Sequence, residues 1–200
     1  MADIKKWVTA LSAGDARVRK DAALSLGALS DKRAVAPLIG ALRDPDSGVR
    51  RAAALSLGVL RAKGAAGVIA GVLLSDPDWS ARRMAAFTLG VLGDTALVGS
   101  LAKALRDPSA KVRGAACRAL GQIGDKEAVA ALGELRIDPE IAVRFDAAAA
   151  VLKLNEVKGR PLMQRLLDEG RLPERLQKTG RSLLKARRES GRRTGVAGGK

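Results

Sequence analysis

The sequence predicts an all-α fold, a right-handed α-solenoid of about six stacked helix pairs with a period of about 31 residues. Three observations carry this expectation. An arginine recurs at Arg19, Arg50, Arg82, Arg113 and Arg144, spaced by 31, 32, 31 and 31 residues. Gly27, Gly58, Gly90 and Gly121 follow the first four at a constant offset, and Asp44-Pro45, Asp76-Pro77, Asp107-Pro108 and Asp138-Pro139 precede the last four. Finally, 47% of residues are hydrophobic but only 2% aromatic, with no Tyr. An apolar inventory made of Ala, Leu and Val suits close helix-to-helix contact better than a β-sandwich, which draws on aromatic and β-branched residues.

Each repeat reads as two helices. A short one such as AVAPLIGALR, 34–43, stops near Asp-Pro, because proline forces the residue before it out of helical dihedrals. After a turn comes a second helix such as SGVRRAAALSLGVL, 47–60, in which Val49, Ala53, Ser56, Leu57 and Leu60 share one face at helical spacing. Gly58 is expected to help end it. Asp31, Asp94 and Asp125 stand where the next short helix starts and suit N-caps. The equivalent place between the second and third repeats, RAKGAAG, has no capping Asp. With Gly64, Gly67 and Gly71 nearby, the short helix over 65–75 is expected to be the least stable of the stack.

The pairs start near 3, 32, 65, 95, 126 and 156. Residues 1–155 therefore hold five repeats. The pair over 156–189 lacks both the Val-Arg and the Leu-Gly and suits a terminal cap, which a stack needs to hide its last open face. Leu172, Leu176, Leu183 and Leu184 give its second helix, 173–189, an apolar docking stripe, and 190–200 reads as a flexible basic tail.

The VRRAAALSLG phrase, the Asp-Pro six residues before its Arg and the period near 31 resemble short HEAT-like repeats of the phycobilisome-lyase type. The resemblance spans residues 3–155, and 156–189 by continuation. It implies a binding scaffold with a wide choice of partners. It also implies that Asp44, Asp76, Asp107 and Asp138 build a ladder with the arginines, each side chain tying its turn to the adjacent repeat. A guanidinium, with five donors, can bond turn carbonyls and a carboxylate together. The next column, Lys20, Arg51, Arg83, Gly114 and Phe145, points off the core stripe and leaves its charge available to partners.

The sharpest functional signal lies on the second helices. In HEAT-like families the third, seventh and eleventh positions counted from the Val are usually polar, because that side lines the open concave face. Here the seventh column is Leu24, Leu55, Phe87, Arg118 and Ala149, and the eleventh is Ala28, Val59, Val91, Gln122 and Lys153. Repeats one to three are apolar on this second face, widened by Ala52 and Met84. Contiguous exposed apolar surface marks an interaction site. Leu24, Leu55, Val59, Met84, Phe87 and Val91 are therefore candidate partner-binding residues, with Lys20, Arg51 and Arg83 as a basic rim suited to a protein or peptide carrying an acidic amphipathic element.

The formal charge is +15, of which residues 151–200 carry +9, from 14 Lys and Arg against five Asp and Glu. Arg181, Lys185, Arg187, Arg188, Arg192 and Arg193 are candidate polyanion-binding residues, and salt-sensitive nucleic-acid contact through this segment and the basic helix edge of Lys20, Arg51 and Arg83 is the alternative function. No His is present and Cys117 stands alone, so His-based catalysis, disulfides and Cys-rich metal sites are not expected, nor is a cofactor. HEAT-like alkylpurine DNA glycosylases and phycobilin lyase subunits share the repeat. The first implies an aromatic-lined cleft, whereas Trp7, Trp79, Phe87 and Phe145 show no convergence; Trp79 reads as part of an inter-helix turn. Charges interrupt the N-terminus where a signal peptide needs its apolar stretch, and the longest uncharged run, Gly64 to Ser75, is too short to span a bilayer. The expectation is a cytoplasmic, non-enzymatic scaffold or adaptor acting through repeats one to three, as a monomer or within a hetero-complex.

Overall fold

The computed structural model describes the backbone of residues 2–195 and the side chains of 4–186. Among these the fold is all-α, with six helix pairs on the solenoid plan. They are α1 (Ala2–Ala10) and α2 (Ala16–Ala28), α3 (Val35–Ala41) and α4 (Ser47–Val59), α5 (Ala66–Ser75) and α6 (Trp79–Leu92), α7 (Val98–Ala104) and α8 (Ala110–Ile123), α9 (Ala128–Glu134) and α10 (Ile141–Leu154), and α11 (Glu156–Asp168) and α12 (Glu174–Gly195). By compactness the chain divides into Met1–Ile123 and Gly124–Lys200. This partition differs from the change of repeat type at residue 155. Helical backbone continues to Gly195, past the end expected at 189, and 196–200 lie outside the described residues.

The short helices begin as the capping residues dictate. Asp31, Asp94 and Asp125 accept backbone N–H bonds from Arg33, Ala96 and Glu127. The start of α5 has no side-chain cap. Asp15, Asp46 and Asp78 cap α2, α4 and α6, a role the sequence reading did not assign. Trp79 is not in the turn but is the first residue of α6, with the Lys111 ammonium 4.2 Å above its ring.

In the first unit the second helices pack in series, and the stripe is as expected: Val49, Ala53, Ser56 and Leu57 are buried, and Leu60 half-buried. Ala52 is buried too, so it belongs to the core rather than to the second face. The Leu-Gly pair makes the close approach. Leu26, Leu57, Leu89 and Leu120 are buried, each contributing roughly 1.5–3 kcal/mol. Gly58 lies inside α4 rather than at its end, and a Cβ there would come within 3.2 Å of the Thr88 side chain. At Gly90 a Cβ would stand 2.8 Å from Ala119 Cα. The gap lets hydroxyls bond back across the interface: Ser56 Oγ donates to the Ala23 carbonyl at 2.8 Å, and Thr88 Oγ1 to that of Ala54 at 2.9 Å.

The arginine column is structural. Arg50 Nη1 donates to the carbonyls of Asp44 and Pro45, at 2.9 and 3.0 Å, holding its own turn. Its Nε and Nη2 grip the Asp76 carboxylate at 2.6 and 2.7 Å. Arg19 grips Asp44 and Arg82 grips Asp107 in the same way. The carboxylate thus pairs with the arginine of the preceding repeat, and its own repeat's arginine takes backbone oxygens. Asp44, Asp76 and Asp107 also accept from the backbone N–H two residues on. One carboxylate so shapes its turn and closes the joint between repeats. Arg19's fork, opposed by desolvation, holds the Asp44 carboxyl below its usual range.

In the second unit α10, α11 and α12 close on one core of Phe145, Ala148, Leu152, Met163, Leu166, Leu172 and Leu184. The docking stripe is as expected, with Leu172 and Leu184 buried and Leu176 and Leu183 half-buried. Two glycines permit the close approach. A Cβ at Gly159 would overlap the Leu152 backbone at 2.2 Å, and one at Gly180 would meet Met163 and Phe145 at 3.1 and 3.3 Å.

Candidate functional site

The second face of the second helices is part surface and part core. Phe87 is 46% exposed and Val59 58%; Leu24 is also exposed. Leu55, Met84 and Val91 are half-buried. Along the neighbouring column Arg51 is exposed, and Lys20 and Arg83 are half-buried. Gly114 and Phe145 depart from the expectation that this column points off the core: Gly114 is buried, and Phe145 is only 5% exposed because α12 lies over it.

A groove of about 370 Å³ crosses this face within the first unit. The second-helix register puts Leu55 of α4 and Met84 and Phe87 of α6 into it, beside Arg83. Its other wall is α8, through Ala115, Arg118, Ala119 and Gln122. Of the expected partner-binding residues the groove gathers Leu55, Arg83, Met84 and Phe87, while Leu24, Val59, Val91, Lys20 and Arg51 lie outside its lining. The α8 wall was missed because Arg118 and Gln122 read as the polar end of the face. In a stacked array the seventh and eleventh positions of one repeat flank those of the last, and this offset was the available signal. Arg83, Arg118 and Gln122 give the groove its polar groups, and the rest of its lining is apolar. The Arg83 Nε is buried without a hydrogen-bond partner. A buried N–H of this kind keeps an unmet demand for an acceptor.

Of the basic C-terminal residues, Arg181 and Lys185 line a pocket of about 410 Å³ between α11 and α12. Arg181 and Lys185 are exposed on α12, beside Gln164 and Asp168 of α11. Arg187, Arg188, Arg192 and Arg193 have side chains outside the described residues. Among the described residues there is no cluster of three or more potential metal ligands, and no helix is long and apolar enough to cross a membrane.

A family model for HEAT repeats matches residues 4–73, 68–153 and 98–183. The chain therefore belongs to the HEAT-repeat family. Among solved structures it is similar to the complex of CpcE and CpcF of phycocyanin lyase from Nostoc sp. PCC7120, at 26% identity and a TM-score of 0.72, over 88% of this chain and 74% of that one. It also resembles an engineered protein, at 23% identity and TM-score 0.63 over 92% and 96% of the two chains. A designed armadillo repeat protein in complex with the peptide (KR)4 matches at 19% identity and TM-score 0.63, over 92% and 98%. The last two likenesses concern the fold alone. No curated protein matches the chain.

Proposed function

We propose that this protein is a non-enzymatic scaffold or adaptor that holds a partner protein or peptide against the second face of its first repeats, with the groove between α4, α6 and α8 as the centre of contact. The observation that carries this reading is Phe87, a large aromatic left 46% exposed in an apolar groove. Leu55 and Met84 continue the apolar floor. The positive charge of Arg83, with Arg51 and Lys20 further along the column, favours an acidic amphipathic element on the partner. The 26%-identical phycocyanin lyase structure is a complex of two proteins, CpcE and CpcF, which supports a protein as the partner of a chain of this kind.

Contact with a polyanion through Arg181 and Lys185 is a second reading, favoured by their exposure on α12. The test is affinity capture from native lysate with wild-type protein and Phe87→Asp, alongside fluorescence anisotropy with duplex DNA and RNA over a salt series. Capture of a defined partner that disappears in the folded Phe87→Asp variant is expected. Capture unchanged by that substitution, with salt-sensitive nucleic-acid binding, would overturn the groove in favour of the second reading.

A further inference from the structure

The arginine ladder ends on a rung that is not closed. In the first unit each closed rung joins an arginine to the aspartate 25 or 26 residues later, through Nε and Nη2 at 2.6–2.9 Å. Within the second unit Arg144 takes the same seat. Its Nη1 donates to the Asp138 carbonyl at 3.1 Å, as Arg50 does to that of Asp44. The residue 25 places on is Glu169, in a sequence with no Asp-Pro. Its Oε2 stops 3.7 Å from Nη2, and its side chain is 38% exposed against 19% for Arg144. Arg144 Nε is buried and has no hydrogen-bond partner. The edge that accepts a carboxylate elsewhere in the ladder is thus left without one in hydrogen-bond contact.

Arg144 also lines a pocket of about 240 Å³ formed by α9, α10, α11 and the turns beside them. Arg136 and Arg165 line it with Arg144, against the single acid Glu169, and Leu162 and Leu166 give it an apolar wall. Three arginines against one acid in the lining leave it cationic. Ladder geometry also selects among anions, because a planar carboxylate matches the Nε–Nη2 fork bidentately.

We propose that this pocket binds a small carboxylate bearing an apolar group. The carboxylate takes the Nε–Nη2 edge of Arg144 and displaces Glu169, Arg136 and Arg165 supply further positive charge, and the apolar group lies against Leu162 and Leu166. A free small acid and the C-terminal residue of a peptide present the same chemistry. The site is separate from the groove and does not depend on it.

Calorimetric titration of the full chain with N-acetylleucine, with its uncharged amide, and with Gly-Gly-Leu bearing a free or amidated C-terminus tests the assignment. Both acids are expected to bind and neither amide. Tighter binding of the peptide acid would make a chain terminus the source, and tighter binding of N-acetylleucine a free acid. Glu169→Gln removes the competitor and should tighten acid binding about two- to fivefold. Arg165→Gln, at an exposed position, should weaken it about tenfold. Equal binding of acids and amides, no heat from either acid at millimolar concentration, or weaker acid binding in Glu169→Gln overturns the proposal.

Discussion

Phe87 and Phe145 lie on the same side of equivalent helices, yet one is surface and the other core. Counted from the start of the repeat phrase, Arg83 and Phe87 hold the third and seventh positions of α6, and Phe145 and Ala149 hold those of α10. In the second unit α12 crosses this face, with Gly180 admitting it close to the Phe145 ring, which is left 5% exposed. In the first unit Phe87 is left 46% exposed beside a groove. An apolar second face on a solenoid helix therefore needs a covering element. Where the chain supplies one, as at Phe145, the face becomes core, and at Phe87 the face is left exposed. Both faces carry a phenylalanine, and the difference lies in what covers it.

The largest expected effect tests this contrast directly. Phe145→Asp places an unpaired charge in a closed core and should cost about 4 kcal/mol or more. Phe87→Asp should stay within about 1 kcal/mol of wild type. Urea unfolding followed by circular dichroism reads both, and comparable losses would erase the distinction between covered and open faces.

Next come the rungs, closed in one unit and open in the other. Asp76→Ala strands Arg50, which is 9% exposed, and should cost about 3–5 kcal/mol, whereas Glu169→Gln should cost less than about 1 kcal/mol. Closed rungs also predict an acid limb. Asp44 is held below its ordinary range mainly by the Arg19 fork, so the folded chain keeps it charged where the unfolded chain protonates it. Its contribution is therefore complete above about pH 4 and is lost as pH falls through the lower folded value. Asp44→Asn should flatten that limb in thermal unfolding measured from pH 5 to pH 2, and an unchanged acid limb would remove the rung as its cause.

The smallest effect separates glycines that make a joint from those that do not. Gly90→Ala drives a methyl against the Ala119 backbone and should destabilise by about 1–3 kcal/mol. Gly67, inside α5 with nothing within 4 Å, should gain about 0.5–1 kcal/mol on change to Ala. Thermal melts of the two variants should move in opposite directions.

Period, helix pairing and the core stripe were determined by the sequence alone, because they depend on spacing along one chain. The Asp-Pro stops, the Asp31, Asp94 and Asp125 caps and the buried Leu-Gly column are local or nearest-neighbour features that recur until they are unmistakable. The apolar second face was legible for the same reason, since Leu55 and Phe87 break a column that is usually polar. Tertiary structure alone decided three things. It assigned each carboxylate to the arginine of the preceding repeat, moved Gly58 from a helix end into a helix joint, and made Phe145 core while leaving Phe87 exposed. Each depends on which element lies across the helix at a given height, and a single chain's periodicity holds no record of that. The same limit concealed α8 as the groove's second wall and Glu169 as the ladder's unfinished rung. Both roles come from distances between repeats: Arg118 and Gln122 flank the groove across a helix joint, and Glu169 stops 3.7 Å from the arginine whose edge it does not close.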